Sequence, residues 1–210
     1  MKPSMKAATF LLASGLLCTL LGRGNPLSCE VCSSDGSNCS GKLQTCTHDE
    51  DTCITILTEA KKEGSLVVTS YKGCAKSSEC DSGFLAMTMN PENYMGSTRR
   101  CCQDDGCNQD PLPAFVKNHT ENGLRCPSCF DTFTETCTST QDALCVGEET
   151  HCVTVTGLAR SREGLLKFAD VKFAARGCGT ENTCHSKPGT LVPSGSHLLT
   201  IKKTSCHPSS

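Results

Sequence analysis

The chain has 210 residues, a formal charge of −2 and 19 cysteines, but no Trp, two Tyr and seven Phe. So few large apolar side chains exclude a conventional oily interior, and covalent staples must make up the difference. The net negative charge excludes a general nucleic-acid binder, which needs a basic face to meet phosphates.

Residues 1–24 carry Lys2 and Lys6, an apolar run from Ala7 to Leu21, and then Gly22 and Gly24. This order is that of a signal peptide cut before Asn25, and the run is too short to span a bilayer. Cleavage removes Cys18 and leaves 18 cysteines, an even number in a chain bound for an oxidising compartment. Nine disulfides are therefore expected. The last residues, His207, Pro208, Ser209 and Ser210, supply no hydrophobic tail for a lipid anchor. The expectation is a secreted, extracellular protein with no membrane anchor.

From residue 25 onward the cysteines form one pattern written twice. The first series is Cys29, Cys32, Cys39, Cys46, Cys53, Cys74, Cys80, Cys101, Cys102 and Cys107; the second is Cys126, Cys129, Cys137, Cys145, Cys152, Cys178, Cys184 and Cys206. Eight cysteines correspond in order, with an offset that grows only from 97 residues at Cys29 and Cys126 to 105 at Cys101 and Cys206. The glycine before the sixth cysteine recurs as Gly73 and Gly177. Two homologous domains follow, at 25–110 and 124–210.

Within the first domain, Cys53 to Thr58 and Ser65 to Tyr71 are rich in β-branched residues, with a hairpin tip at Lys61 to Gly64. Phe84 to Met89 with Ser97 to Cys101 makes a further strand pair. Residues 111–123 contain Pro111, Pro113 and the sequon Asn118-His119-Thr120, and read as an exposed, glycosylated linker. A second sequon starts at Asn38, with Cys39 in its middle position. In the second domain, Cys152 to Thr156 and Val171 to Ala175 flank a polar loop around Arg160 to Gly164, and Gly189 to Val192 pairs with His197 to Lys203. No stretch has the length and periodicity of a long helix. The fold class is all-β, small and disulfide-rich.

The close of the first domain, Cys101-Cys102-Gln-Asp-Asp-Gly-Cys107-Asn108, resembles the ending of the Ly-6/urokinase-receptor superfamily of three-finger domains, and the resemblance covers everything after the signal peptide. Spacing alone leaves hundreds of cysteine pairings open. The resemblance implies Cys29 with Cys53, Cys32 with Cys39, Cys46 with Cys74, Cys80 with Cys101 and Cys102 with Cys107. Carried to the second domain, it implies Cys126 with Cys152, Cys129 with Cys137, Cys145 with Cys178 and Cys184 with Cys206. The second domain lacks the last cysteine pair and the asparagine, which implies a looser C-terminal loop. Two tandem domains with the second reduced in cysteine are similar to the gamma class of phospholipase A2 inhibitors, some of which form homo-oligomers. That likeness implies binding and inhibition of a secreted phospholipase A2 by steric blockade.

Several chemistries are set aside. Cys29-x2-Cys32 and Cys126-x2-Cys129 would suggest zinc in a reducing compartment, but secretion and the even count favour disulfides. His48-Asp49 sits in a short polar loop between Cys46 and Cys53, without the helix or glycine-rich calcium loop of a phospholipase. Neither Gly-x-Ser-x-Gly nor His-Glu-x-x-His occurs. The expectation is a binding protein, not an enzyme, with no cofactor. Residues 25–110 carry 7 basic and 13 acidic side chains, whereas 124–210 carry 9 and 8, so the first domain suits a basic partner. Contact residues are expected at the finger tips: Lys61, Lys62 and Glu63 in the first domain, Arg160, Arg162 and Glu163 in the second. The alternative is a soluble three-finger ligand or modulator of a cell-surface receptor.

Since one closed loop the size of Cys29 to Cys53 is worth about 3 kcal/mol in the chain-entropy account, the fold depends on full oxidation. Thiol titration of the intact, denatured, mature protein is expected to find no free thiol; several reactive cysteines, or a bound metal in their place, would refute the disulfide reading.

Overall fold

The computed structural model describes residues 26–62, 64–114, 116–161 and 169–208. The expected signal peptide lies outside the described residues, as do Glu63, Arg162 and Glu163. The first half folds as β1 (Ser28–Asp35), β2 (Lys42–Thr45), β3 (Thr52–Lys62), β4 (Ser65–Ala75), β5 (Gly83–Asn90) and β6 (Asn93–Cys102). The second half repeats it as β7 (Glu121–Thr132), β8 (Gln141–Val146), β9 (His151–Ser161), β10 (Asp170–Gly179), β11 (Leu191–Ser194) and β12 (His197–Pro208). The described helical structure is one turn of 3-10 helix at Ser77–Glu79 and the four-residue helix α1 (Glu181–Cys184).

Each half is three antiparallel hairpins, β1–β2, β3–β4 and β5–β6, then β7–β8, β9–β10 and β11–β12. The pairings between hairpins also repeat: β1 with β4 and β3 with β6 in the first half, β7 with β10 and β9 with β12 in the second. The chain is therefore two tandem three-finger domains. Sulfur fixes the base of each. The disulfides of the first domain are Cys29–Cys53, Cys32–Cys39, Cys46–Cys74, Cys80–Cys101 and Cys102–Cys107. Those of the second are Cys126–Cys152, Cys129–Cys137, Cys145–Cys178 and Cys184–Cys206. Two bridges stack in each base, Cys29 Sγ lying 3.2 Å from Cys46 Sγ and Cys126 Sγ 3.5 Å from Cys145 Sγ.

The asparagine after Cys107 has a mechanical role. The side chain of Asn108 is fully buried; its Oδ1 accepts the Glu30 N–H at 2.8 Å and its Nδ2 donates to the carbonyls of Glu30 and Ile54 at 2.9 and 3.3 Å. It thus joins β1 to β3 where no strand pairing does. The second domain, lacking this residue, was expected to end in a looser loop. Instead β12 stays paired with β9 as far as Pro208 opposite His151, with one register shift between Ile201 and Lys203, because no small loop like that of Cys102–Cys107 follows.

The two domains are joined edge to edge. Cys178 and Gly179 of β10 pair with Thr88 and Met87 of β5, so one sheet runs through both halves. Gly177 permits this approach: a Cβ there would stand 2.3 Å from the carbonyl oxygen of Thr88. Leu85 and Met87 of the first domain then share a core with Val153, Val155, Phe173, Ala175, Val192 and Ile201 of the second. Burial along β3 has the same origin. Thr52 to Thr58 are buried without a break, although successive side chains point to opposite faces. Ile54 and Ile56 pack with Leu191 of the second domain, whereas Thr55 on the other face hydrogen-bonds the carbonyl of Asn108.

Most described residues of the segment 111–123 are exposed, but two of them are not. Leu112 and Lys117 are buried, and β7 begins at Glu121. Lys117 Nζ lies 2.9 Å from Glu149 Oε1 of the second domain and 2.6 Å from Thr88 Oγ1 of the first, and Thr88 Oγ1 donates to Glu149 Oε1 at 2.7 Å. The ammonium also sits 4.6 Å from the centre of the Tyr94 ring. Burial lowers the Lys117 pKa, while the Glu149 charge and hydrogen bond oppose that shift. A polar composition concealed the burial because the counter-ion comes from a position remote in sequence. In denaturant unfolding with disulfides intact, Glu149→Ala is expected to cost about 3–5 kcal/mol, by leaving the ammonium buried and alone. Lys117→Met combined with Glu149→Leu is expected to cost far less, so a double-mutant cycle gives a large coupling energy; additive effects would refute the buried pair as the lock between domains.

Candidate protein-binding surface

At the tip of the second finger of domain 1, Lys62 pairs with Ser65, and Gly64 has φ of 83°. Of the expected contact residues here, Lys61 is tied to Glu92 at the tip of the third finger, Nζ to Oε2 2.9 Å, while Lys62 is exposed. In domain 2, Arg160 stands opposite Asp170 at the neck of the second finger and grips it with two bonds, Nε to Oδ1 at 2.7 Å and Nη2 to Oδ2 at 2.8 Å. That hydrogen bonding and charge raise the Arg160 pKa and hold the Asp170 carboxyl below its usual range. Arg160 thus braces its own hairpin, and Lys61 ties two fingers together. Charge alone at a finger tip did not distinguish a structural cation from a free one.

The first finger of domain 2 carries a feature that sequence reasoning missed. Phe133 is 76% exposed and is the one described non-glycine residue with positive φ, at 65°. An L-residue in the left-handed region is strained, most of all a bulky one. Its N–H donates to the carbonyl of Lys172 at 2.7 Å, and Lys172 Nζ in turn meets Glu135 Oε1 at 2.7 Å, which holds the loop in that shape. Beside it Phe130 is half exposed and stacks on the buried ring of Phe173 at 6.3 Å. The available signal was two of seven phenylalanines, Phe130 and Phe133, set within the short Cys129–Cys137 loop, which is too small to bury both.

The electrostatics of domain 1 are sharper than its composition. Of its 7 basic side chains, Lys72 and Arg99 are buried, against one buried acidic side chain among the described residues, Glu30. Lys72 Nζ lies 2.7 Å from Glu30 Oε2 and donates to the Gln109 carbonyl. Burial raises the Glu30 pKa, but the bonds from Lys72 and the Gly41 N–H with the Lys72 charge bring it below its ordinary value. The exposed remainder is strongly acidic. Its loops include Asp49, which pairs with Lys76 at 2.8 Å, and Asp51, which accepts bonds from the N–H and hydroxyl of Ser77 at 2.7 Å each. His48 is exposed in the same loop.

The described cysteines that approach one another in threes, Cys29 with Cys46 and Cys74 and Cys126 with Cys145 and Cys178, are disulfide sulfurs with no thiolate to offer a metal. Among the described residues no helix is long and apolar enough to cross a membrane.

Comparison with known proteins places these features in a family. Residues 27–109 match the family "Phospholipase A2 inhibitor" and residues 122–210 match "u-PAR/Ly-6 domain". Phospholipase A2 inhibitor LNF2 of Lachesis muta muta is 32% identical over 142 residues, which are 68% of this chain and 70% of that protein. Phospholipase A2 inhibitor NAI of Notechis ater is 30% identical over 181 residues, 86% of each chain. Phospholipase A2 inhibitor CgMIP-I of Cerrophidion godmani is 32% identical over 163 residues, 78% of each chain. Among solved structures, mouse TEX101 is 19% identical with a TM-score of 0.36, covering 85% of this chain and 96% of that chain. The chain belongs to the phospholipase A2 inhibitor family, and its second half is a u-PAR/Ly-6 domain.

Proposed function

We propose that this protein is secreted and inhibits a secreted phospholipase A2 by steric blockade, without chemistry of its own. The observation that carries the reading is membership of a family whose members, similar over both domains, are named as phospholipase A2 inhibitors. Two features support it. The first domain presents an acidic exterior from which two cations have been withdrawn by burial, and such a surface draws in a basic enzyme. The second domain offers Phe133 and Phe130 on a braced loop, the kind of rigid aromatic anchor that dominates binding energy at protein interfaces. A blocking protein needs only to cover the mouth or the lipid-docking face of its target.

The glycan belongs at Asn118, which is exposed and whose Oδ1 accepts the Thr120 N–H at 3.0 Å; Asn38 is exposed as well but shares its sequon with disulfide-bonded Cys39.

Purified protein mixed with a panel of secreted phospholipases is expected to inhibit hydrolysis by at least one, with no turnover of phospholipid by the protein alone. Inhibition of a basic enzyme is expected to weaken as salt rises, since exposed charges are screened within about 10 Å at 0.1 M. Phe133→Ser, which removes an exposed ring, is expected to weaken inhibition about tenfold with the thermal midpoint unchanged, the loss typical of an interface anchor. Absence of inhibition across the panel at excess protein, with capture of a cell-surface receptor instead, would replace this reading with that of a receptor modulator.

A further inference from the structure

Three basic side chains are buried among the described residues, Lys72, Lys117 and Arg99. The first two meet carboxylates at 2.7 and 2.9 Å. Arg99 does not. It is 5% exposed, and its buried Nη1 has no hydrogen-bond partner among the described residues. A buried guanidinium N–H left without a bond is costly, so its persistence calls for a partner of opposite charge.

The side chain lines a cavity of about 270 Å³ at the seam between the domains. One wall is Asp81 to Leu85 of the first domain; the other is Asn182 and His185 to Lys187, on and after α1 of the second. The carboxylate of Asp81, the one acidic group in the lining, is engaged by Lys187, Nζ to Oδ1 2.8 Å, with both side chains nearly half exposed. Its charge acts on Arg99 without a hydrogen bond to Nη1. Asn182 Nδ2 is spent on the Phe84 carbonyl at 2.9 Å, which ties the two walls together, and Ser186 Oγ reaches the Asn182 carbonyl at 3.4 Å. Two cations against one carboxylate leave the cavity with a surplus positive charge and a free N–H directed at nothing among the described residues.

We propose that this interdomain cavity is a binding site for a small oxyanion, a carboxylate or phosphate group, received by Arg99 and Lys187. The planar guanidinium fork suits two coplanar oxygens, and the half-exposed Lys187 can turn from Asp81 toward an incoming charge. Because both walls contribute, an occupant bridges the domains and stabilises their union by mass action. The site is independent of phospholipase binding.

The test uses the full mature protein in chloride buffer at constant ionic strength, titrated separately with sodium phosphate and sodium acetate. Thermal midpoint and the arginine side-chain NMR signals are the readouts. At least one probe is expected to raise the midpoint saturably and shift the Arg99 Nε–H signal, and which of them does so assigns phosphate or carboxylate as the preferred group. Arg99→Met is expected to lower affinity about tenfold or more while leaving the probe-free midpoint equal or higher, because the charge removed had no partner. If that variant does not fold, Lys187→Met at a half-exposed position is expected to lower affinity severalfold. No saturable response to either probe, or a response unchanged in both variants, would overturn the proposal.

Discussion

The pairing of β10 with β5 is the contact on which the rest depends. Two residue pairs, Cys178 with Thr88 and Gly179 with Met87, make one sheet of two domains, and they form only because Gly177 has no side chain to meet the Thr88 carbonyl. Around this short ladder polar groups of the two halves bond one another. Thr180 N–H and Thr183 Oγ1 donate to the Ala86 carbonyl at 3.1 and 2.9 Å, Ser128 Oγ donates to the Met89 carbonyl at 2.6 Å, and Gly195 N–H reaches Thr69 Oγ1 at 2.9 Å. Apolar burial follows from the same contact, since the largest cluster of core residues draws on both domains. Neither domain alone would close that core.

Sulfur and oil divide the work by place. At the base of each domain the buried clusters are centred on cysteine, Cys29 with Cys46 and Cys53 in one and Cys126 with Cys145 and Cys178 in the other. Near the seam they are centred on Ile, Val, Leu, Met and Phe. A disulfide constrains the unfolded chain and needs little apolar area, so a base can be stapled where few residues are available. Joining two folded domains is different: among the described residues no disulfide crosses the seam, and only area and paired polar groups can hold it.

This division explains which parts were legible in the sequence. Cysteine intervals report the bases, and β-branched runs such as Ile54 to Thr58 report strands, because both are local patterns. The seam is written in residues that look ordinary singly. Lys117 reads as a solvated linker cation until Glu149 is seen beside it, and Thr88 as a plain strand residue until it bonds both. The repeated glycine was visible at Gly73 and Gly177, yet its reasons differ: a Cβ at Gly73 would meet the Tyr71 ring of the same domain, one at Gly177 the backbone of the other. Strain at Phe133 was likewise invisible, because it is imposed by a bond to Lys172 on a neighbouring finger.

For the surface, the consequence is that charge is a poor guide to contact and geometry a better one. Lys61 and Arg160, at the tips and necks where a partner was expected to dock, are committed to Glu92 and Asp170. Releasing them would cost the brace as well as the contact. A strained ring that is largely exposed carries no such ion pair: Phe133 leaves most of its surface to solvent, and the cost of its backbone is sustained by the bonds around it. Because the seam fixes one domain against the other, such a ring and the acidic exterior of the first domain are held as parts of one body. Under the proposed function little interdomain freedom would be lost on binding, so long-range attraction by the one and close packing by the other would act together.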